Sequence, residues 1–333
     1  MSALCAIRCA RVVLTVGMAS TRPRSSDSTV AADAIAVSDE LVAPVGNDVE
    51  LCYQTFGDPD AEPLLLVMGL GGPMTWWDPE LCRKLAGAGF FVVRYDNRDT
   101  GRSSRIPVRV RRHQLVAAVA GARPRAPYSI SDMAGDGIAL LDHLGIDAAH
   151  VVGVSMGGMI VQAMAVEHPA RVRSLTSIMS TTGRRTVGWQ HPSLIPALIG
   201  PRQPGRDAYV ETSAAFWQVI GSPAYPTSDE TLRTKAGATF DRGVTASGLM
   251  RQMLAVLTQP DRTQRLRSLR VPTLVLHGLA DKMVHVSGGR ATASAIPGAE
   301  LVLVDGMGHD MPPALFDTYV EAIRRTADRA ISV

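Results

Sequence analysis

His150-Val151-Val152-Gly153-Val154-Ser155-Met156-Gly157-Gly158-Met159-Ile160-Val161 decides the fold. Residues 150–154 form a short, largely apolar run rich in valine, as a strand buried on both faces requires. Met156 opens a second apolar stretch, MGGMIVQAMAV, of helical length, which runs toward Pro169. Between strand and helix stands Gly-x-Ser-x-Gly. In a chain with 30 glycines that pattern alone says little; its flanks give it meaning. A serine on so sharp a strand-to-helix turn is forced into a strained backbone geometry. The residues two before and two after it must then be small, because side chains there would meet neighbouring backbone. The turn holds the Ser155 hydroxyl at the carboxyl edge of the sheet, where open α/β sheets bind ligands, and at the positive end of a new helix. Ser155 is therefore the candidate nucleophile.

Outward from this turn, apolar runs alternate with helix-length segments. Residues 49–56, 63–68, 90–95, 172–179, 272–276 and 301–304 read as strands. Residues 80–88 and 129–144 read as helices, the second with helical spacing at Met133, Ile138, Leu141 and Leu144 and Gly145 as its stop. This alternation predicts an α/β fold: a parallel sheet with helices on both faces. Residues 181–261 break the rhythm. They contain no buried-strand run, are rich in Pro, Gly and Trp, and carry helical stretches at 208–220 and 249–257. They read as an inserted helical cap, which leaves 41–180 and 262–333 as the core. Residues 1–40 look different again. The first 26 hold Arg8, Arg11, Arg22 and Arg24 but no acid, and residues 21–28 have a disordered composition. They are expected to be an extension outside the fold, with a weak likeness to a signal peptide at the start and Met18 as an alternative first residue.

Composition narrows the function. The 333 residues are 46% hydrophobic, enough for a sizeable core, and the net charge of +3 implies no nucleic-acid partner. No apolar run reaches the roughly 18–20 residues that span a bilayer, so no transmembrane segment is expected. Four cysteines, Cys5, Cys9, Cys52 and Cys82, are scattered without a metal-site or disulfide spacing. They read as free thiols of a cytoplasmic protein, with export or membrane association as the alternative.

A serine hydroxyl needs a base to act at neutral pH. Of eight histidines, His309 in Gly306-Met307-Gly308-His309-Asp310 lies just beyond the last strand, where a loop could reach Ser155. The other seven read as packed or surface residues. The base must be held in one tautomer by a carboxylate. Asp281, in the loop after strand 272–276, suits this best and gives the chain order Ser, Asp, His. Asp305 sits too near the strand end, and Asp310 reads as a turn cap. A tetrahedral intermediate needs two N–H donors. Met156, directly after the nucleophile, and Leu70, in the loop Gly69-Leu70-Gly71-Gly72, are the candidates.

Together Met68-Gly69-Leu70-Gly71, Arg94-Tyr95-Asp96-Asn97-Arg98-Asp99-Thr100-Gly101-Arg102-Ser103, residues 153–158, Asp281 and residues 306–309 resemble the α/β-hydrolase superfamily. The likeness is greatest to the aclacinomycin methylesterase group and related actinobacterial lipases and esterases, over residues 45–330. The resemblance implies an α/β-hydrolase fold with a mostly parallel eight-stranded sheet, a helical cap, and hydrolysis with no cofactor and no metal. Many superfamily members carry His-Gly at the oxyanion loop. Here Met68-Gly69 stands, as in the methylesterase group, so only the backbone role carries over. The N-terminal extension and an insertion after Ser103 depart from the pattern.

The function expected is cleavage of a carboxylic ester of an apolar or aromatic small molecule through an acyl-enzyme. Trp76, Trp77, Phe216 and Trp217 would supply an apolar wall, unless they serve packing. The same triad would also serve a thioesterase, a C–C bond hydrolase or a cofactor-free perhydrolase. A ligand-binding receptor on this scaffold is the non-enzymatic alternative. The insertion holds Arg102, Arg105, Arg109, Arg111, Arg112, Arg123 and Arg125 with no acid between Thr100 and Ser131. Its apolar run, residues 115–120, makes peripheral contact with an anionic membrane through residues 105–125 an expectation. A solvated loop, or arginines paired with acids of the cap, is the plainer one.

Overall fold

Phe90–Tyr95, Ala149–Val154 and Thr273–Gly278 are strands in which every residue is buried. A largely apolar run has no polar face to turn outward, so such strands must lie inside a sheet covered on both sides. The computed structural model, which describes residues 13–16, 35–194 and 204–331, places them there.

Among the described residues nine strands form one sheet. They are β1 (Val13–Val16), β2 (Leu41–Pro44), β3 (Glu50–Phe56), β4 (Glu62–Val67), β5 (Phe90–Tyr95), β6 (Ala149–Val154), β7 (Val172–Ile178), β8 (Thr273–Gly278) and β9 (Glu300–Val304). Their order is β1-β9-β8-β7-β6-β4-β5-β3-β2. Only β3 runs against its neighbours; all other pairs are parallel. Among the described residues the helices of eight residues or more are α1 (Pro79–Gly87), α2 (Arg112–Val119), α3 (Ile130–His143), α4 (Met156–Glu167), α5 (Arg206–Ile220), α6 (Asp229–Arg242), α7 (Ala246–Thr258), α8 (Ser287–Ala295) and α9 (Phe316–Ile331). Side chains alternate across the sheet. Leu65 and Val67 of β4 join a core with α3, α4 and α8, whereas Leu64 and Leu66 join one with α1 and α9. Each fully buried leucine contributes roughly 1.5–3 kcal/mol.

β2 to β9 make up the eight strands expected, and β1 is a ninth, paired in parallel with β9. The extension expected over residues 1–40 is corrected accordingly. Val13–Val16 extends the sheet, Val37 bridges to Phe56, and Glu40 binds Arg102 and Arg242 at 2.6 and 2.7 Å. Four-residue edge strands are too short to show a period in sequence. Cys5, Cys9, Arg8, Arg11, Met18, Arg22 and Arg24 lie outside the described residues, as do residues 195–203 of the expected cap.

Between β7 and β8 the chain runs through α5, α6 and α7. α6 escaped the sequence reading because its buried residues are Leu232, Ala236, Gly237 and Thr239, which hardly make an apolar stripe. Two buried ion pairs tie this insertion to the turn after β5. Arg242 holds Asp96 at 2.8 Å, and Arg251 holds both oxygens of Asp99 at 2.6 and 2.7 Å. Gln252 completes the attachment, accepting from Gly71 N–H and donating to the Arg98 carbonyl, each at 2.8 Å. The insertion after Ser103 folds as α2, which packs Ala118 against Leu254 of α7.

Candidate active site

Ser155 sits between β6 and α4 with φ 57° and ψ −118°, the strained geometry expected of a sharp elbow. Its flanks admit only glycine. A Cβ on Gly153 would come within 2.2 Å of the Gly157 carbonyl oxygen, and one on Gly157 within 2.0 Å of the Val67 oxygen. Met156 opens α4, so its N–H has no acceptor within the helix. The loop after β4 runs beside the serine, since a Cβ on Gly69 would lie 3.7 Å from Ser155 Oγ. Asn97 Nδ2 donates to the Met68 carbonyl at 2.9 Å and fixes the start of that loop. Leu70 N–H makes no hydrogen bond to any described residue.

His309 and Asp281 arrive from the loops after β9 and β8. A Cβ on Gly278 would meet the Met307 oxygen at 2.1 Å, so glycine lets these two loops touch. Ala280 N–H donates to the Met307 carbonyl at 3.0 Å. The α5 end of the insertion holds the second loop: His309 N–H donates to the Ile220 carbonyl at 2.7 Å, and Gly308 N–H to Ser222 Oγ at 2.9 Å. The result is one hydrogen-bonded line. His309 Nε2 stands 3.1 Å from Ser155 Oγ, and its Nδ1 2.7 Å from Asp281 Oδ2. The other Asp281 oxygen accepts from Met283 and Val284 N–H at 2.8 and 2.9 Å. Burial works to raise the Asp281 pKa. The His309 charge and the hydrogen bonds from His277 and His309 outweigh it and hold the carboxyl well below the usual range.

His277 is the neighbour that sequence did not single out. Its Nε2 lies 2.7 Å from the Val284 carbonyl and 3.4 Å from Asp281 Oδ2, so Nε2 carries the proton. Nδ1 is buried without a partner. The one signal was its place four residues before Asp281. Asp305 is exposed, and Asp310 accepts from Ser222 Oγ.

The four aromatics divide. Trp77 is fully buried in the core with Phe56, Leu81 and Phe90, which corrects its placement in a substrate wall. Trp76 is half-buried at the edge of the same core: its ring meets that of Trp217 edge-on at 5.0 Å, and its Nε1 donates to Thr239 Oγ1 at 2.9 Å. Trp76 closes a 3₁₀ turn over Met74–Trp76, and Trp77 caps it. Phe216 is half-buried beside Trp217 on α5, four residues before the Ile220 carbonyl that holds His309. Cys52 and Cys82 are free and buried, each thiol pushed up to about 12 chiefly by burial, so neither is a competing nucleophile.

This arrangement can move a proton from serine to imidazole while a buried carboxylate steadies the cation formed. Known proteins resemble this chain in sequence and fold. Rhodomycin D methylesterase of Streptomyces sp. (strain C5) is 30% identical over 83% of this chain and 94% of its own. The 3-oxoadipate enol-lactonase 2 of Acinetobacter baylyi is 26% identical over 84% and 94%. The crystal structure of the enol-lactonase from Burkholderia xenovorans superposes with a TM-score of 0.64 at 23% identity, over 88% of this chain and all of that one. The family model for the alpha/beta hydrolase fold matches residues 62–312, and the chain belongs to that family.

Proposed function

We propose that this protein is a carboxylic ester hydrolase acting on a small molecule, with Ser155 as nucleophile, His309 as base and Asp281 as the group that orients it. The observation that carries this is the hydrogen-bonded line from Ser155 Oγ through His309 to Asp281. His309 Nε2 takes the hydroxyl proton as Oγ attacks the ester carbon. Asp281 keeps the other proton on Nδ1 and balances the imidazolium. Leu70 and Met156 N–H receive the developing oxyanion. His309 then gives its proton to the departing alcohol. A water deprotonated by the same nitrogen opens the acyl-enzyme, and the acid leaves. Relatives named methylesterase and enol-lactonase support ester cleavage. Turnover of p-nitrophenyl butyrate by the wild type, lost in Ser155→Ala, tests it. Equal rates would refute the assignment.

A second proposal concerns where the enzyme works. Among the described residues no helix is long and apolar enough to cross a membrane. On and around α2, however, Val108, Val116 and Val119 are 47%, 69% and 62% exposed. Arg109, Arg111, Arg112, Arg123 and Arg125 are exposed around them, and none pairs with a described acid. Arg102, paired with Glu40, and Arg105, bonded to the Gly243 carbonyl, serve the fold. Apolar tips among unpaired arginines suit an anionic bilayer surface, each arginine adding up to ~1 kcal/mol. Free buried thiols and the anionic inner leaflet favour the cytoplasmic side. Co-sedimentation with anionic but not neutral vesicles, weakened by salt and by Arg109→Ser/Arg111→Ser/Arg112→Ser, is expected. Equal binding to both vesicle types, or none, would refute it.

A further inference from the structure

Lys235 lies on α6 four residues before Thr239, whose hydroxyl holds Trp76 Nε1. Residues four apart share a helix face, so Lys235 looks toward the same tryptophan. Its Nζ stands 5.3 Å from the Trp76 ring centroid and 5.8 Å from that of Trp217. Trp76 in turn lies against the loop bordering Ser155, because a Cβ on Gly72 would meet its ring at 2.6 Å. Trp217 is on the helix whose Ile220 carbonyl holds His309. The ammonium therefore stands between residues that adjoin the oxyanion-side loop and the helix whose end holds the base.

Two further observations concern its surroundings. The side chain keeps exposed surface, yet protein crowds it enough that burial lowers its pKa, against the pull of Asp310 and Asp78. Part of the side chain is open to solvent while two aromatic rings stand beside its ammonium. No described residue accepts a hydrogen bond from Nζ or pairs with it. Asp310 is engaged by Ser222, and Asp78 by Glu80 N–H at 2.8 Å. An ammonium crowded by protein loses part of its hydration, and with no anion beside it two ring faces offset only part of that cost.

We propose that Lys235 binds a carboxylate on the substrate, so that the ester cleaved at Ser155 belongs to a molecule that also carries an acid. The apolar body between the two groups lies along Trp76 and Trp217. This rests on the ester-hydrolase reading above and names its substrate class.

The test compares monomethyl esters of linear dicarboxylic acids with methyl esters of linear monocarboxylic acids of equal length, at a pH where the free acid is ionised. The wild type is expected to prefer the half-ester by roughly tenfold or more in kcat/KM at one chain length, as a charge-assisted contact allows. That length reports the span from Ser155 to Lys235. Lys235→Met should bring the ratio to about one, and Lys235→Arg should restore most of it. A wild-type ratio near one at every length, or a ratio unchanged in Lys235→Met, overturns the proposal. Calorimetry with Ser155→Ala removes turnover from the question. Half-ester binding that Lys235→Met abolishes supports the proposal even where hydrolysis fails; binding indifferent to Lys235 overturns it.

Discussion

His309 Nε2 lies 3.1 Å from Ser155 Oγ although 154 residues separate them in the chain. Two glycine contacts make this approach feasible, Gly157 against β4 and Gly278 against the His309 loop. Replacing either glycine by alanine puts a methyl group within about 2 Å of backbone oxygen. Gly157→Ala is expected to give insoluble or inactive protein, read by yield and circular dichroism. A soluble variant with wild-type activity would contradict the elbow geometry.

His309→Ala is expected to lower kcat on the order of 10⁴–10⁶-fold, and Asp281→Asn roughly 10⁴-fold, because an asparagine leaves the imidazole in the wrong tautomer. KM should move far less. Steady-state kinetics on p-nitrophenyl butyrate decide this, and a tenfold loss only in Asp281→Asn would place the orienting acid elsewhere.

Asp281 also links stability to pH. Its carboxyl titrates lower in the folded state than the ordinary value of about 3.9. A depressed acid contributes stability that is fully present above the unfolded pKa and is lost as pH falls through the folded one. The Tm gap between wild type and Asp281→Asn should therefore narrow below about pH 4. A gap that widens on acidification would contradict the shift.

Trp76 and Trp77 should separate cleanly. Trp77→Ala empties a core site and should cost about 3–5 kcal/mol. Trp76→Ala should cost much less stability and change KM for apolar esters. Urea unfolding beside kinetics distinguishes them; the reverse pattern would exchange their places.

Arg251→Met leaves the Asp99 carboxylate buried without its partner, an expected loss of about 3–5 kcal/mol. Arg251→Met with Asp99→Asn should recover a large part. If the double variant is no more stable than the single one, the pair is not what fastens α7 to the core.

Much of this was legible because long-range facts left local marks. Fully buried strands wrote themselves as largely apolar runs at 90–95 and 150–154. The three residues nominated from an elbow glycine pattern and two strand-end loops are those the fold brings into hydrogen-bond reach. Features that lack a period or depend on side-chain direction were not legible. β1 and β2 are four residues each, α6 carries little apolar surface, and of adjacent Trp76 and Trp77 only the second is fully buried. His277 meets Asp281 only through the bend between them.

The most direct test of the account is covalent. One equivalent of a fluorophosphonate should add a single label per chain, and peptide mass spectrometry should place it on Ser155, because only a hydroxyl deprotonated by a neighbouring base reacts quickly. Labelling should fall steeply in His309→Ala and disappear in Ser155→Ala. Rapid stoichiometric labelling of another residue, or labelling that survives in Ser155→Ala, would contradict it.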